Sequence, residues 1–501
     1  MTVHTPIVAG SNVRSRRLVR PAVSAAIVLL VAAIILRRGQ FGNPIAGLDE
    51  QLYLLIGDRL WHGELPYVDL WDRKPFGLFM LFAAIRLLPG DGVLAAQIVA
   101  TCFAAGTAWF VFLLARREVG WSAATMAGLF HLAAQIELWG DTTQTPVFYN
   151  LPIIAAAWLT LRAEADPLMA RSRREMIGAV LLAGCALQLK TNAVFEGAFF
   201  AAWYLWRVSE TACSNTVAIR WAGQLAAVGA APTFAVVAYY AMVGFLPAWW
   251  HANVLSVIAK GRPDDLAVGS MLGETVVLVA PILLLALLGV WARTRRFTHW
   301  DRGTAFRLGW IAVASVDFAA IGGYYPHYAL PLLLAATPLI AEAFNVRRSG
   351  PALFLGVMVW PTLHTQYFMP RIGLAERVIA RTVLQALPAD VTTRCLLIYE
   401  GPVAYYHLTD ACRVTRFAFS AHLSSNREQA ALGVDPKAEL DAAMARRPGT
   451  VITVDAPPRP DRAMEMEQHL KRLLLREYHV VARLPHRYFT PDERLVIWRR
   501  D

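Results

Sequence analysis

Long apolar blocks separated by short arginine-rich breaks constrain the fold of this chain more than any other feature of its sequence. The blocks are about 17 to 25 residues long, the length that a helix needs to cross the hydrocarbon core of a bilayer. Hydrophobic residues make up 56% of the 501 residues, more than a soluble domain with a charged surface carries. A single signal peptide cannot produce repeated blocks of this kind. The sequence therefore predicts a mainly α-helical, polytopic membrane protein.

About eleven blocks have the length and apolarity of membrane spans. They lie at about residues 19–36, 92–115, 121–138, 146–163, 176–190, 193–207, 221–243, 271–292, 304–321, 328–344 and 351–368. The first block follows Arg14, Arg16, Arg17 and Arg20, so the positive-inside rule predicts a cytosolic N-terminus. If the spans alternate, every predicted cytosolic loop contains arginine, and the predicted outer loops near 140–146 and 322–327 contain no Lys or Arg. Arg37 and Arg38, at the outer end of the first block, are the exception.

The composition changes after about residue 370, where hydrophobic runs shorten to strand length and charge and proline increase. Strand patterns occur at 395–400, 450–456, 478–484 and 494–500, with helical patterns at about 437–446 and 461–477. This alternation predicts a small α/β domain. We expect a multispan domain over 1–370 and a soluble domain over 371–501. An odd number of spans places the soluble domain on the extracytoplasmic (periplasmic) side of the inner membrane.

The charge and the cysteines exclude several classes of protein. The formal net charge is +11, but the basic residues are scattered at the ends of apolar blocks, so we expect no nucleic-acid partner. Five cysteines without a C-x-x-C pair indicate neither a zinc site nor a thioredoxin-like motif. Cys395 and Cys412 share the soluble region. They either form one disulfide there or are two ordinary small buried residues.

The first predicted outer loop, residues 37–91, contains the strongest candidates for chemistry. Its stretch from Gly47 reads GLDEQLYLLIGDRLWHGELPYVDLWDRKPFG and is too polar to span a membrane. Carboxylates beside cations at a lipid boundary suit an enzyme whose substrate has a lipid tail and a phosphate head. The alternative interpretation is a hydrated loop whose acids cap short interfacial helices.

An ordered set of residues in this loop resembles the GT-C superfamily of lipid-phosphate-sugar glycosyltransferases. The set comprises Asp49-Glu50, Tyr53, the stretch from Gly63 to Asp69 and the Asp72-Arg73-Lys74-Pro75 turn. The similar branches are the protein O-mannosyltransferases (glycosyltransferase family 39), the aminoarabinose transferases and the rhizobial galacturonosyltransferases. Two positions depart from the pattern, because relatives often have a proline where this chain has Phe76, and the aminoarabinose branch has an arginine where this chain has Leu52.

The resemblance implies a role for each residue of the set. Asp49 would be the general base, Glu50 would support it, and Lys74, with Arg73 beside it, would contact the donor phosphate. Tyr53 would line the substrate site. The departure at Leu52 argues against the donor of the aminoarabinose branch for this chain.

A second cluster, YYPHYALPLL, precedes the span at 328–344. In the same families, similar aromatic-basic turns lie near the carrier phosphate, which implies phosphate contacts for His327 and Tyr328 and a substrate contact for Tyr325. The hydrogen-bonding capacity of histidine and tyrosine agrees with that role. The alternative is an interfacial aromatic belt, which tyrosine commonly supplies.

Three further polar residues are candidates. Lys190 lies between two short apolar blocks, and an ionisable residue at membrane depth is a functional candidate because its burial is costly. It could equally snorkel to the outer surface. Asp141 lies in the second outer loop, where relatives often carry an acidic residue near the sugar. Asp317 lies within a span and either faces a cavity or pairs with another helix.

We expect a membrane glycosyltransferase that uses a polyprenyl-phosphate sugar as donor and a glycan, lipid or protein of the cell envelope as acceptor. No D-x-D motif occurs in the predicted outer loops, so we expect no metal and no other cofactor. A transporter or flippase of a lipid-linked sugar is one alternative. Such a protein would show internal repeats, and this sequence shows no such symmetry. A polysaccharide polymerase or ligase is another, but its chemistry would centre on later outer loops.

Overall fold

The structure is a computed structural model that describes residues 11–261, 265–296, 301–486 and 492–501. Its long N-terminal part is helical. The helices are α1 (Ser11–Arg37), α2 (Asp49–Leu60), α3 (Phe76–Ile85), α4 (Val93–Ala115), α5 (Trp121–Glu137), α6 (Thr145–Ala163), α7 (Ala170–Leu187), α8 (Val194–Ala212), α9 (Asn215–Met242), α10 (Leu246–Trp250), α11 (Ser256–Ala259), α12 (Asp265–Thr294), α13 (Arg302–Ile321), α14 (Leu330–Phe344), α15 (Ser349–Leu363) and α16 (Met369–Ala386). Short 3-10 turns lie at Arg38–Gln40, Thr191–Ala193 and Pro326–Ala329, and π turns at His251–Leu255 and His364–Phe368.

The predicted apolar blocks fall on long helices of this part. Within the described residues, six helical segments are long and apolar enough to cross a bilayer: Val23–Gln40, Val93–Ala115, Asn215–Met242, Val268–Thr294, Arg302–Ile321 and Pro326–Phe344. The chain is therefore an integral membrane protein. The total of about eleven crossings and the orientation of the termini stay predictions. The side chains of Arg14, Arg16, Arg17 and Arg20 lie outside the part that the structure describes.

The bundle is built around α14, whose residues are all buried, and α12, α5 and α13 pack against it. Glycines allow close helix contacts, as membrane bundles require in the absence of a hydrophobic driving force between helices. A Cβ at Gly289 of α12 would lie 2.0 Å from the carbonyl oxygen of Leu339, and one at Gly184 of α7 would lie 2.2 Å from that of Gly229 in α9. At both positions, the absence of a Cβ lets the backbones of two helices pack directly against each other.

The C-terminal part is a small α/β domain. Its helices are α17 (Ala404–Thr409), α18 (Ser420–Ser424), α19 (Asn426–Gln429), α20 (Pro436–Ala445) and α21 (Met464–Glu477), and its strands are β1 (Leu396–Ile398), β2 (Thr450–Asp455), β3 (Tyr478–Pro485) and β4 (Arg494–Arg500). The predicted strands and both predicted helices are confirmed. The sheet order is β1-β2-β4-β3, with β1 parallel to β2 and the other pairs antiparallel.

A disulfide links Cys395 and Cys412, which decides between the two interpretations of this pair. It ties the start of β1 to the chain segment beside it, where the amide of Leu396 donates to the carbonyl of Cys412 at 2.9 Å. The other three cysteines, Cys102, Cys185 and Cys213, are free.

The domain packs on the end of the bundle where α1 finishes and α14 begins, which we call the domain end. The amide of Trp71 in the first loop donates to the carbonyl of Arg416 at 3.0 Å. Helix α16, which the sequence patterns did not predict, joins bundle and domain and packs on the turn after α1, where a Cβ at Gly373 would lie 2.2 Å from the carbonyl oxygen of Gly39. The other end of the bundle is the opposite end.

Candidate active site

Asp49 and Lys74 meet at the domain end. Asp49 is the first residue of α2, and Lys74 lies two residues before the start of α3, in the same loop. The Lys74 Nζ lies 3.6 Å from the Asp49 Oδ2, and the two side chains keep 24% and 34% of their surface exposed. They form a loose, accessible ion pair, since a charge-assisted hydrogen bond would bring the atoms to about 2.7–2.9 Å.

The turn that presents Lys74 is fixed by two hydrogen bonds. The Asp72 Oδ1 accepts from the Lys74 amide at 2.7 Å, as aspartate commonly does two residues before an amide in a turn. The Tyr67 hydroxyl donates to the Lys74 carbonyl at 2.8 Å. The ammonium then lies 5.5 Å from the centre of the Tyr53 ring, one helical turn beyond Asp49. The D-R-K-P motif thus positions a cation over an aromatic face.

The electrostatics keep both partners charged. Burial by itself would raise the pKa of the Asp49 carboxyl, but the charges of Lys74 and Lys260 outweigh it and hold the pKa below the usual 3.8. Burial would lower the pKa of the Lys74 ammonium, yet neighbouring Tyr53, Asp49 and Asp72 raise it well above its usual range. Asp49 is therefore a carboxylate, and Lys74 a cation, across the neutral pH range.

Glu50 has the opposite character from its neighbour. Its side chain is buried, and burial, reinforced by the charges of Asp49 and Asp141, raises its pKa to about 8. One carboxyl oxygen accepts from the Thr142 hydroxyl, and the carboxyl folds back over Gly47, where any Cβ would lie 2.1 Å from it. Adjacent acids whose pKa values are pushed apart are typical of a base paired with a neutral partner.

Arg37, the exception to the charge rule, holds the loop behind Glu50. Its guanidinium is buried and donates to the carbonyl of Gly140 at 2.5 Å, to the carbonyl of Thr142 and to the Thr101 hydroxyl at 3.2 Å. The neighbouring Asp141 accepts from the Gln40 side chain at 3.1 Å. The predicted substrate residue Asp141 thus lies behind Glu50, in the group of side chains around Arg37.

The second predicted cluster faces the ion pair. Lys190 lies 4.1 Å from the centre of the Tyr328 ring, and its charge interacts with those of Lys74 and Asp49. The His327 ring lies 4.4 Å from Tyr328 and 5.8 Å from Tyr325. The structure therefore brings residues from the first loop, from the segment between α7 and the following 3-10 turn, and from the turn before α14 to one place.

Three buried polar atoms at this place have no hydrogen-bond partner among the described residues: the Glu50 Oε2, the Tyr53 hydroxyl and the His327 Nδ1. Such atoms are rare in folded proteins because leaving them unpaired is costly. They lie around the Asp49–Lys74 pair, so the site offers several unused polar groups beside an accessible carboxylate and cation.

Arg73 points away from this centre, into the C-terminal domain. Its guanidinium pairs with the Glu428 carboxylate at 2.5 Å, and Glu428 also binds the Lys260 ammonium at 2.8 Å. Burial opposes ionisation, but the two cations hold the pKa of Glu428 far below its usual range. This triad fixes the first loop and the segment after α11 to α19 of the domain.

Three residues that build the site were not predicted from the sequence: Thr142, Lys260 and Glu428. Thr142 is adjacent to the predicted Asp141, so the second outer loop carried a partial signal. No sequence signal indicated Glu428, because an acid far along the chain, in a separate domain, matches no local pattern. Asp317 accepts from the Asn192 side chain at 2.7 Å, which makes it a partner of the turn that follows Lys190.

Solved structures with the same architecture identify the fold. The crystal structure of ArnT from Cupriavidus metallidurans bound to undecaprenyl phosphate is similar over 94% of this chain and 97% of ArnT, with 15% identity and a TM-score of 0.59. The apo structure of the same protein is similar over 95% and 98%, with 15% identity and a TM-score of 0.60. The protein has a GT-C fold.

This is the fold that the resemblance in the first loop implied. It covers the helix bundle and the C-terminal domain together, because the similarity extends over almost the full length of both chains. The archaeal oligosaccharyltransferase AglB from Archaeoglobus fulgidus, in complex with an inhibitory peptide and a dolichol-phosphate, is similar over 86% of this chain and 69% of its own, with 10% identity and a TM-score of 0.47. No family model and no curated protein matches the sequence.

Proposed function

We propose that this protein is a membrane glycosyltransferase that moves a sugar from a polyprenyl-phosphate carrier to a glycan, lipid or protein acceptor of the cell envelope. The observation that carries the proposal is the accessible Asp49–Lys74 pair, with a separation of 3.6 Å between Oδ2 and Nζ, inside a GT-C fold. The similarity to an ArnT structure that contains undecaprenyl phosphate supports a carrier of this class.

The proposed step is a single inverting displacement. The Asp49 carboxylate takes the proton from an acceptor hydroxyl while the hydroxyl oxygen bonds to the anomeric carbon. The bond from that carbon to the carrier phosphate breaks, and the phosphate leaves with the electron pair. Lys74 neutralises the leaving phosphate, with Lys190, His327 and Tyr328 around it. Since phosphate is a good leaving group, positioning and charge stabilisation supply most of the acceleration, and the step uses no metal ion.

We also propose that the chemistry takes place on the extracytoplasmic side of the inner membrane. The site and the C-terminal domain share the domain end of the bundle, and the domain contains the Cys395–Cys412 disulfide. Disulfides persist in oxidising compartments and are rare in the cytosol. A reporter fused after Asp501 tests this placement, because a cytosolic signal would contradict it.

Transfer from labelled polyprenyl-phosphate sugars in membranes tests the activity. We expect Asp49→Asn to lose at least about 100-fold in transfer, the usual contribution of a general base. Asp91→Asn is the matched control, since the Asp91 side chain accepts from the Val93 amide at 2.9 Å at the start of α4 and is not part of the site. Transfer by Asp49→Asn at the wild-type rate would exclude Asp49 as the base. Movement of the carrier across the membrane without covalent transfer by the wild type would favour a flippase.

A further inference from the structure

A second polar cleft opens between the first loop and the C-terminal domain. It has a volume of about 460 Å³ and is separate from the Asp49–Lys74 pair, whose residues do not line it. Three acids and three arginines face it: Glu64, Asp69 and Glu439, and Arg413, Arg416 and Arg446. Its walls come from both parts of the protein, so the cleft exists only when the domain is docked.

The acids of the cleft already have partners. Glu64 pairs with Arg413. The Asp69 Oδ2 accepts from the Leu65 amide at 2.7 Å, and the Glu439 Oε1 accepts from the Thr415 hydroxyl at 2.6 Å. A carboxylate has about four lone-pair positions, so Asp69 and Glu439 keep capacity for hydroxyl donors.

Two of the three arginines of the cleft differ from Arg413, which pairs with Glu64. Within the described part of the chain, Arg416 and Arg446 form no ion pair. Arg416 lies over the Phe417 ring, 4.9 Å from its centre, and Arg446 is exposed at the end of α20. Two guanidinium groups therefore line a cleft without carboxylate partners, and guanidinium binds carboxylate and phosphate groups in bidentate fashion.

We propose that this cleft binds an acidic sugar of the acceptor. Arg416 and Arg446 would bind its carboxylate or phosphate group, and Asp69 and Glu439 would accept hydrogen bonds from its hydroxyls. A neutral sugar would leave the guanidinium groups unused, and a small inorganic anion would leave the acids unused. The cleft therefore fits a ligand that carries both kinds of group. This inference rests on the proposed transferase function and names its acceptor class.

The cleft is coupled to the site by the first loop itself. Asp69 lines the cleft, Trp71 bonds to the backbone of Arg416 at 3.0 Å, and the next three residues form the turn that presents Lys74. An acceptor anchored in the cleft would thus lie along the segment that presents Lys74, the partner of Asp49. On the other wall, Arg413 directly follows Cys412, so the disulfide holds that wall against β1.

Calorimetric binding to the full-length protein in detergent tests the proposal, with glucuronate, glucose 6-phosphate and uncharged glucose as probes. Saturating farnesyl phosphate is present throughout, so that the Lys74 region is occupied and the sugar phosphate reports only on the cleft. We expect both charged sugars to bind at least about tenfold more tightly than glucose, the usual value of one charge-assisted hydrogen bond. Preference for one of them identifies the anionic group as carboxylate or phosphate.

Substitutions then locate the binding. Arg416→Gln and Arg446→Gln should each weaken binding of the charged sugars about tenfold, and the exposed Arg446 can be changed without unfolding the domain. Arg447→Gln is the matched control, because the neighbouring Arg447 pairs with Glu477 at 3.5 Å and does not line the cleft. Equal binding of all three sugars, no binding, or wild-type binding by both cleft variants would overturn the proposal.

The experiments distinguish a failure of the transferase proposal from a failure of the cleft proposal. Asp49→Asn should bind the charged sugars like the wild type, because Asp49 does not line the cleft. If Asp49→Asn retains transfer, the proposed base is wrong while the binding result stands. If Asp49→Asn loses transfer and the charged sugars do not bind, the transferase proposal survives and the acceptor class is wrong.

Discussion

The two ends of the helix bundle each contain a cluster of buried charges, and the clusters differ in how they are paired. At the opposite end, Glu118 binds Arg307 at 2.7 Å and Arg293 at 3.1 Å, and Glu342 binds Arg293 at 2.6 Å. Each acid there accepts directly from an arginine. At the domain end, the cation nearest to Asp49 among the described residues is 3.6 Å away, farther than a charge-assisted hydrogen bond.

This difference in pairing indicates a structural role for the cluster at the opposite end and a functional role for the pair at the domain end. Glu342 is 1% exposed, so its arginines compensate a carboxylate that water does not reach. The Asp49–Lys74 pair keeps part of its surface in solvent, and its carboxylate has no direct hydrogen bond to the cation. A buried carboxylate bonded directly to arginines stabilises the fold, whereas an exposed carboxylate without such a bond is available to a ligand. Substitutions at the two ends of the bundle, and in the domain that covers one of them, should therefore remove different properties.

The largest loss of stability is expected at the opposite end. Arg293→Gln should destabilise the protein by about 3–5 kcal/mol, because the buried Glu342 loses its nearest cation and keeps Arg296, which is farther away at 3.4 Å. Transfer per folded molecule should stay at the wild-type level, since the site lies at the other end. Thermal unfolding in detergent and a transfer assay check both statements. Arg295→Gln is the control, because Arg295 is exposed against Trp291. Loss of activity without loss of stability in Arg293→Gln would reverse the assignment of the two ends.

The covering domain should depend on its disulfide. Cys412→Ser opens a loop with a sequence separation of 17, which is expected to cost the domain about 3 kcal/mol. Limited proteolysis should cut the C-terminal domain of the variant faster than that of the wild type. Cys213→Ser, at a free and exposed cysteine, should change nothing. Equal proteolysis of Cys412→Ser and the wild type would show that the disulfide does not stabilise the docked domain.

A smaller effect, the difference in stability between two alanine variants, is expected at the turn before Asp49. Gly47 and Gly42 both have positive φ angles, +74° and +72°, but only a Cβ at Gly47 meets the Glu50 carboxyl. Both alanine variants lose about 1–2 kcal/mol from the left-handed backbone. Gly47→Ala should lose about 2 kcal/mol more through overpacking and should also lose transfer activity, since Glu50 must move. Equal stability and activity of the two variants would contradict the position of Glu50.

The smallest effect concerns pH. The pKa of Asp49 is lowered below 3.8, with Lys74 the largest favourable charge, so the base is ionised above that pH and activity falls only below it. Lys74→Gln removes the charge that favours the carboxylate, so the pKa of Asp49 rises and the acidic limb of the kcat/KM profile moves to higher pH. Lys471→Gln in the remote α21 should leave the limb in place. An unchanged limb in Lys74→Gln would show that the two groups do not interact.

The sequence predicted the elements of the fold because their signals are local. Apolar length indicated the helices, and short alternating runs such as residues 450–456 indicated the strands. The site was indicated only by resemblance, since nothing in the spacing of Asp49 and Lys74 requires that they meet. The partners that complete it, Thr142 and Glu428, come from distant segments. Contacts such as Arg37 to the 140–142 loop depend on packing, which no local pattern encodes.

The topology rule illustrates the same point. Arg37 conflicts with the positive-inside pattern because the rule counts charges that stay in water near the membrane surface. Its guanidinium is instead buried and bonded to two backbone carbonyls. An arginine that is buried in such contacts departs from the positive-inside pattern of the sequence. The reason becomes visible only in its contacts.

The most direct test of the open domain end is the rise in unfolding temperature caused by a short carrier phosphate. Farnesyl phosphate should raise the unfolding temperature of the wild type through binding to the folded state, and farnesol, which lacks the phosphate, should raise it less. In Lys74→Gln, the unliganded protein should unfold near the wild-type temperature and the phosphate-dependent rise should disappear. A full rise in Lys74→Gln, or a loss of unliganded stability as large as that of Arg293→Gln, would show that the pair at the domain end is a structural ion pair.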